Sequence, residues 1–301
     1  MENESNYLDD IRRTLSNEVM ADINRICACG ISADHVDYGI PFLYALIPGF
    51  RNGSLTVFAT GKNDLSRFLV YSMLCSITAG NTPAVMISLA QSGFSALTFC
   101  LSIQCHIPIG KINAGFLANT DLDLLEQERV AINERRNLNI VSIADEDIVL
   151  ISSIIEDMVA SCGVRIVFLD DVLGIQRPDG CVSDREAVAS VLHELKSLAL
   201  RYNVPIVTTA PISFFDKASR MDPGEPFRYP DAIIKLARRK NGVDERVHAA
   251  EYNARRMKAK IIKNRNGSCG CFSWIEDYQK VTLVDTARIE SEPFFKGSEN
   301  E

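Results

Sequence analysis

The sequence predicts an α/β fold in which helices cover both faces of a mostly parallel sheet. Short apolar runs of strand length alternate with longer helical patterns between residues 54 and 209, which is typical of repeated strand–helix units. Turn signals at closer spacing follow after residue 230 and indicate a β-meander added to the same sheet. The composition, 47% hydrophobic and 24% charged residues, is that of a globular protein and excludes low-complexity and collagen-like architectures.

The chain begins with a predicted amphipathic helix over residues 6–29. Its apolar residues recur every three or four positions, and Gly30 follows where such a helix would end. These apolar residues are Leu8, Ile11, Leu15, Val19, Ile23 and Ile26. We therefore divide the 301 residues into a helical arm (1–31), one α/β domain (32–285) and a polar tail (286–301).

Within the domain, each strand–helix unit is predicted in turn from its hydrophobic periodicity. The predicted strands are 54–59, 84–89, 139–143, 164–171 and 204–209, and the predicted helices are 65–78, 94–104, 121–136, 147–162 and 184–202. Four more strands are predicted at 231–239, 257–263, 270–275 and 280–284. Turns at Asn266–Gly267 and Asp277–Tyr278 lie between the later strands and favour antiparallel pairing there.

A long uncharged stretch raises the question of a membrane span. The chain has no Asp, Glu, Lys or Arg from Phe68 to Gly110, and residues 84–103 are numerous enough to cross a bilayer. Polar residues interrupt this stretch at 91–93, which favours a buried strand followed by a buried helix. The N-terminus is acidic and the nine cysteines are odd in number, so we predict a cytoplasmic protein with free thiols and no membrane contact.

The charge of the chain is unevenly distributed. The net charge is −7, yet the segment from Lys235 to Arg265 carries eleven Lys or Arg against three acidic residues. Such a stripe indicates an anionic partner such as a nucleotide or single-stranded DNA, although a solvated hairpin explains it equally well. The candidate nucleic-acid contacts are Arg238, Arg239, Lys240, Arg255 and Arg256.

Four segments in order resemble the C-terminal ATPase domain of the DnaB-type replicative helicases. They are 49–55, 111–115, 192–207 and the Lys-x-Arg-Asn-Gly segment at 261–267, with a strand ending in Asp170-Asp171 placed like a Walker B carboxylate. The resemblance implies a RecA-like P-loop NTPase fold, ATP with Mg²⁺ as ligand, and a hexamer-like oligomer of DnaB-type subunits. It also implies that residues 6–29 dock on an adjacent subunit. The family's N-terminal primase-interacting domain has no counterpart in these 301 residues.

The loop after the first strand departs from the family's GxxxxGK[ST] pattern, whose amides cradle phosphates. An alignment without a gap over residues 60–67 puts Leu65 at the second Gly, Ser66 at the Lys and Arg67 at the Ser/Thr. An alternative pairs residues 61–63 with the GK[ST] end but deletes the cradle. The candidate nucleotide-binding residues are Gly61, Lys62, Ser66, Arg67, Asp170 and Asp171.

Two further positions differ from the family. Ala90 stands where the family has its catalytic Glu, and Pro211 stands where it has a γ-phosphate-sensing Gln. Phosphoryl transfer depends on positioning and charge neutralisation, so these losses leave little catalytic machinery beside the Walker B-like Asp170. We therefore predict a degenerate member with doubtful ATP and Mg²⁺ binding, acting as a structural or regulatory partner in DNA replication or mobile-element maintenance. The alternatives are an active helicase with an atypical loop, and a single-stranded DNA-binding or helicase-loading module.

Two residues that act in trans in the family are retained. The resemblance implies that Lys263 and Arg265 contact the phosphates bound by a neighbouring subunit, with the Arg neutralising transition-state charge. A well-formed β-turn explains Asn266 and Gly267 but places no demand on these two cations. The two Cys-x-Cys pairs at 27–29 and 269–271 lack the usual zinc spacing, and the histidines do not cluster, so no metal site is predicted.

Overall fold

The computed structural model describes residues 13–24, 27, 34–44, 47–61, 64–89, 91–144, 147–176, 180–215, 226–238 and 254–286. The helices are α1 (13–24), α2 (Asp64–Ala79), α3 (Gly93–Cys105), α4 (Ile109–Asn113), α5 (Asn119–Arg135), α6 (Ile148–Cys162) and α7 (Asp184–Tyr202). The strands are β1 (His35–Val36), β2 (Phe50–Arg51), β3 (Leu55–Thr60), β4 (Ala84–Ser88), β5 (Leu138–Ser142), β6 (Ile166–Asp170), β7 (Ile206–Pro211), β8 (Ala232–Arg238), β9 (Ala254–Asn264), β10 (Cys271–Asp277) and β11 (Thr282–Asp285).

Nine of these strands form one sheet, in the order β11-β10-β9-β8-β3-β7-β6-β4-β5. The six strands from β8 to β5 are parallel, and β9, β10 and β11 add antiparallel pairs at one edge. The predicted α/β class and the antiparallel additions are therefore confirmed. The sequence analysis did not predict the short antiparallel ribbon of β1 and β2.

Two apolar clusters bury the two faces of the sheet. One cluster joins α2 and α3 to side chains of the sheet such as Phe58, Phe168 and Trp274. The other joins α6 and α7 to side chains such as Val57, Leu169 and Ile206. Successive side chains of a strand point to opposite faces, so each central strand contributes to both clusters and reads as a continuous apolar run.

Local sequence signals account for the bounds of several helices. Ser183 accepts a hydrogen bond from the Glu186 amide at the start of α7, and Asn203 ends the helix in the left-handed region (φ 51°). Asp147 caps α6 in the same way, and Gly163 ends it. These caps explain why both predicted helices agree with the observed ones to within a residue.

Residues 84–103 of the uncharged stretch contain β4 and most of α3, a strand followed by a helix, as predicted. The strand is buried throughout, whereas α3 buries one side and leaves Phe94 exposed. Among the described residues, no helix is both long enough and apolar enough to cross a membrane.

The N-terminal arm is helical over residues 13–24, and its apolar side chains are exposed. Leu15, Val19, Met20 and Ile23 have between 43% and 55% of their surface accessible. The rest of the predicted arm, except for residue 27, and all of the predicted tail beyond residue 286 lie outside the described residues.

Candidate functional site

Four neighbouring parallel strands carry a polar residue at their carboxyl end or, on β7, two residues before it. On each strand, the residue two positions earlier belongs to the apolar cluster beneath α2 and α3, so strand alternation directs the polar side chains to that face. In sheet order the four residues are Thr60 on β3, Thr209 on β7, Asp170 on β6 and Ser88 on β4. Ligands of open α/β sheets bind at this edge, outside the carboxyl ends of the strands. Of the four, the sequence analysis proposed only Asp170 as a functional residue; Thr60, Ser88 and Thr209 could have been found from their positions at strand ends.

Asp170 is the charged member of this row. The hydroxyl of Thr209 donates a hydrogen bond to its Oδ1 at 3.3 Å. Burial raises the pKa of Asp170, while the hydrogen bond from Thr209 and the positive charge of Arg67 act in the opposite direction. The neighbouring Asp171 is used differently, because its Oδ1 accepts a 2.5 Å hydrogen bond from the Leu173 amide and caps the short turn that follows β6.

Arg67 lies in the first turn of α2, above the same face of the sheet. Its guanidinium carbon is 4.5 Å from the centroid of the Phe99 ring and 5.8 Å from that of Tyr71. The two rings meet edge to face at 5.1 Å. Within the described part of the chain, neither Arg67 Nε nor the Tyr71 hydroxyl has a hydrogen-bond partner. The arginine is therefore held by aromatic packing and by charge.

The connection between β3 and α2 is short. β3 ends at Thr60 and α2 begins at Asp64, so three residues join them. Gly61 is in open space, because a Cβ added to it would meet no atom within 4 Å. Ser66 is buried in α2. Lys62, the fourth candidate of this segment, lies outside the described residues.

The next two positions, Pro211 and Ala90, are those at which the family has its sensor Gln and its catalytic Glu. Pro211 is the last residue of β7, next to the row of polar strand ends, and its strand neighbour Thr60 pairs with it directly. Ala90 lies outside the described residues.

Lys263 and Arg265 lie at the opposite end of the parallel strands from Asp170, beside the first residues of β3 and β8. Arg265 donates from Nη1 to Asp231 Oδ1 at 3.0 Å and from Nη2 to the Arg228 carbonyl at 3.3 Å. Lys263 donates from Nζ to the carbonyls of Phe227 and Arg228, at 2.7 and 2.9 Å. Burial, with the nearby Arg265 charge, lowers the pKa of Lys263 to about 8.

Asp231 joins several segments at this end of the strands through hydrogen bonds. The sequence analysis did not propose it as a functional residue. Its carboxylate accepts hydrogen bonds from Lys196 Nζ at 2.7 Å and from the Leu55 amide at 2.9 Å, in addition to Arg265. The Lys196 ammonium also donates to the Gly53 carbonyl. No local sequence pattern predicts this cluster, because its members come from four separate segments of the chain.

The described candidates for nucleic-acid contacts do not form one surface, because they lie on both faces of β9 and at the end of β8. Arg256 shares one face of β9 with the exposed Lys258 and Lys260, because these three residues alternate along the strand. Arg255 points to the other face, where its guanidinium carbon is 5.3 Å from the centroid of the Tyr278 ring. Arg238 is exposed at the end of β8. Arg239 and Lys240 lie outside the described residues.

Among the described residues, no group of three or more His, Cys, Asp or Glu side chains is arranged to hold a metal ion. Cys27, Cys269 and Cys271 are exposed free thiols. Cys29, the remaining member of the two Cys-x-Cys pairs, is outside the described residues.

Comparison with known proteins gives one family match and several structural matches. The profile of the family described as DnaB-like helicase C terminal domain matches residues 36–219, which is more than half of the chain. No curated protein is similar enough to count as a match.

Three solved structures share the fold at low sequence identity. The first is a DnaB-like replicative helicase, described together with its interactions with primase (TM-score 0.71, 15% identity, 89% of this chain and 66% of that chain). The second is a structure described as an ATPase domain, with the same TM-score of 0.71 at 17% identity, and with 92% and 98% covered. A KaiC-like protein from Pyrococcus horikoshii OT3 has a TM-score of 0.57 at 16% identity, with 83% and 98% covered. The chain thus spans just under two thirds of the first structure's length.

Proposed function

The chain belongs to the DnaB-like helicase C-terminal domain family, and from this premise we propose that it is a member without efficient ATP hydrolysis. In this proposal it acts as a structural or regulatory partner of DnaB-type helicase subunits, in DNA replication or mobile-element maintenance. Its work is done through assembly and surface contacts, and the polar strand ends of Thr60, Thr209, Asp170 and Ser88 are what remains of the nucleotide site.

The short connection after β3 is the observation that carries the proposal. A phosphate cradle needs several consecutive loop amides between the strand and the helix. Here only three residues separate Thr60 from Asp64. The alternative alignment does not restore the cradle, because residues 61–63 follow directly after β3 and no residues remain between the strand and the GK[ST] end to form it. Gly61 is also not required by crowding or by a left-handed backbone, unlike a glycine that makes room for a phosphate.

The residue types around the connection do not fit ATP with Mg²⁺ either. Ser66 offers a hydroxyl where the family has an ammonium, and the first residue of α2, Asp64, is acidic. Arg67 stands at the position that supplies a hydroxyl to Mg²⁺ in the family, and its guanidinium has no lone pair to offer a metal. Pro211 lacks the amide side chain of a sensor. We therefore derive no hydrolytic step for this chain.

The position of Arg265, at the amino ends of the parallel strands, supports a role in assembly. β3 has six residues, so at about 3.3 Å per residue roughly 17 Å of strand separate its first residue, beside Arg265, from Thr60 at its carboxyl end. The arginine cannot serve its own site across that distance. In the proposed oligomer, Lys263 and Arg265 face the nucleotide site of an adjacent DnaB-type subunit.

A steady-state ATPase assay with and without single-stranded DNA tests the proposal. We expect no turnover above background, and no difference between the natural chain and Asp170→Ala. An active DnaB-type helicase, assayed in parallel, shows that the conditions support hydrolysis. Turnover by the natural chain that Asp170→Ala abolishes would overturn the proposal. If Lys62→Ala or Arg67→Ala abolished the same turnover, the active helicase with an atypical loop would replace it.

A single-stranded DNA-binding role is the second candidate, because Arg256, Lys258 and Lys260 share one face of β9. Fluorescence anisotropy with a labelled oligonucleotide tests this candidate without nucleotide. Binding through phosphates weakens as salt rises, and each cation removed reduces that dependence. We expect Lys258→Ala to weaken binding, with Lys280→Ala, outside this face, as the control; equal affinity of the two variants would count against this surface.

A further inference from the structure

Arg67 and Asp170 lie on the same side of the sheet, because α2 packs on the face to which strand alternation directs Asp170. Phe168 lies two residues before Asp170 and packs in the same apolar cluster as Tyr71 and Phe99. These are the two rings over which the Arg67 guanidinium lies. The cation and the carboxylate therefore lie on the same face of the sheet, and the charge of Arg67 acts on the Asp170 carboxyl, whose pKa it lowers against the effect of burial.

Each of the two charges has few other partners in the part of the chain that the structure describes. The carboxylate of Asp170 accepts one hydrogen bond there, from the neutral hydroxyl of Thr209. Arg67 makes no direct ion pair with any described residue, and its buried Nε has no acceptor among them. A buried charge is costly unless an opposite charge lies near it, so each of these groups lowers the cost of burying the other. Burial raises the pKa of Tyr71, and both charges reach this hydroxyl as well, since Asp170 raises that pKa further and Arg67 lowers it.

We propose that the Arg67 guanidinium takes the place of a divalent cation beside Asp170, so that the chain excludes Mg²⁺ from this position. This inference rests on the proposed function, in which the polar strand ends are the remainder of a nucleotide site. It identifies one side chain that closes the site to its metal and thereby goes beyond the absence of a cradle.

Two properties of arginine make the exclusion effective. A guanidinium keeps its proton at any pH at which the protein is folded, so its repulsion of a cation is permanent. It also has donors only, whereas Mg²⁺ requires oxygen ligands in a near-octahedral arrangement. Arg67 thus removes a ligand and adds a like charge in the same step. The rings of Phe99 and Tyr71 hold the guanidinium there, because cations are attracted to aromatic faces.

Manganese binding to the full chain tests the inference, because Mn²⁺ is visible by electron paramagnetic resonance and prefers the same oxygen ligands as Mg²⁺. We expect the natural chain and Arg67→Lys, which keeps the charge, to bind no Mn²⁺ that depends on Asp170. Arg67→Ser should bind Mn²⁺ at least about tenfold more tightly than the natural chain. The double variant Arg67→Ser, Asp170→Asn should lose that gain. Arg129→Ser, at an exposed arginine on α5, is the control for unspecific binding.

Two results would overturn the inference. One is Mn²⁺ binding by the natural chain that Asp170→Asn removes; the other is a folded Arg67→Ser chain, verified by circular dichroism, that gains no binding. If Arg67→Ser does not fold, Arg67→Gln replaces it, since Gln is neutral, of similar length and carries an amide oxygen for the metal. Metal binding by the natural chain without ATP turnover would refute the inference while leaving the proposed function intact, so the two failures are distinguishable.

Discussion

Asp231 joins separate segments of the chain at the edge of the sheet opposite the polar strand ends. Its carboxylate is 8% exposed and accepts from two cations and one backbone amide. Lys196, the more buried of the cations, has 17% of its side chain exposed. Removing one partner of such a buried pair leaves the other charge unpaired, and that is what makes it costly.

Asp231→Ala should therefore destabilise the fold by roughly 3–5 kcal/mol, measured as the free energy of unfolding in urea at neutral pH. The matched control is Asp34→Ala, which removes a carboxylate paired with Arg51 on the surface. An exposed pair of this kind is worth less than about 1 kcal/mol. Equal losses in the two variants would show that burial of Asp231 does not matter.

At the scale of elements, α1 is a helix whose apolar side chains are exposed. Its described part, residues 13–24, exposes Leu15, Val19, Met20 and Ile23 along one side. A helix of this length is marginal in water unless its apolar face packs against something. The resemblance to the helicase family implies that this face docks on an adjacent subunit, which remains a prediction.

Deleting residues 1–30 should convert an oligomer into a monomer, as measured by light scattering coupled to gel filtration. Val19→Asp should have the same effect, because it puts a charge in the middle of the apolar side. Glu18→Ala changes the adjacent exposed position and should leave the mass unchanged. A full-length protein that is already monomeric, or a truncated one of unchanged stoichiometry, would contradict this prediction.

At the scale of the whole molecule, the sheet has a different kind of charge at each end of its parallel strands. Asp170 and its polar neighbours lie at the carboxyl ends, and Lys263 and Arg265 lie at the amino ends of β3 and β8. In the proposed function, a subunit built in this way would complete a neighbour's site without a working site of its own. Arg265 would have to exchange Asp231 for the neighbour's phosphate, and Lys196 would remain to neutralise Asp231.

Mixing the protein with an active DnaB-type helicase of the same host should change the helicase's ATPase rate as a function of the mixing ratio. We expect stimulation, because a phosphate-facing arginine typically contributes about 10³–10⁵ in rate when it completes such a site. Arg265→Ala should abolish the stimulation. The control Arg129→Ala, which changes an exposed residue of α5, should leave the stimulation unchanged. Identical rates with the natural chain and with Arg265→Ala would end the hypothesis.

Apart from the short elements β1, β2 and α4, the helices and strands of the domain and their alternation could be predicted from local patterns alone. α7 was predicted with its observed bounds because Ser183 and Asn203 cap it within the same stretch of chain. β4 and α3 were distinguished from a membrane span by the interruption at Gln91-Ser92-Gly93. The motifs that identify the family are also local, and they did not depend on knowing which strands are neighbours.

Only the tertiary structure decided which residues meet. The order β7-β6-β4 brings Thr209, Asp170 and Ser88 level with one another, and β3 places Thr60 two residues further along, although the chain visits these strands in another order. Asp231 reaches Lys196 across 35 residues and Leu55 across 176. The Arg67 guanidinium meets the ring of Phe99 because α2 and α3 pack on one face of the sheet. Such contacts depend on chain crossovers and on the packing of whole elements, and periodicity, which records only the environment of each segment, carries no information about them.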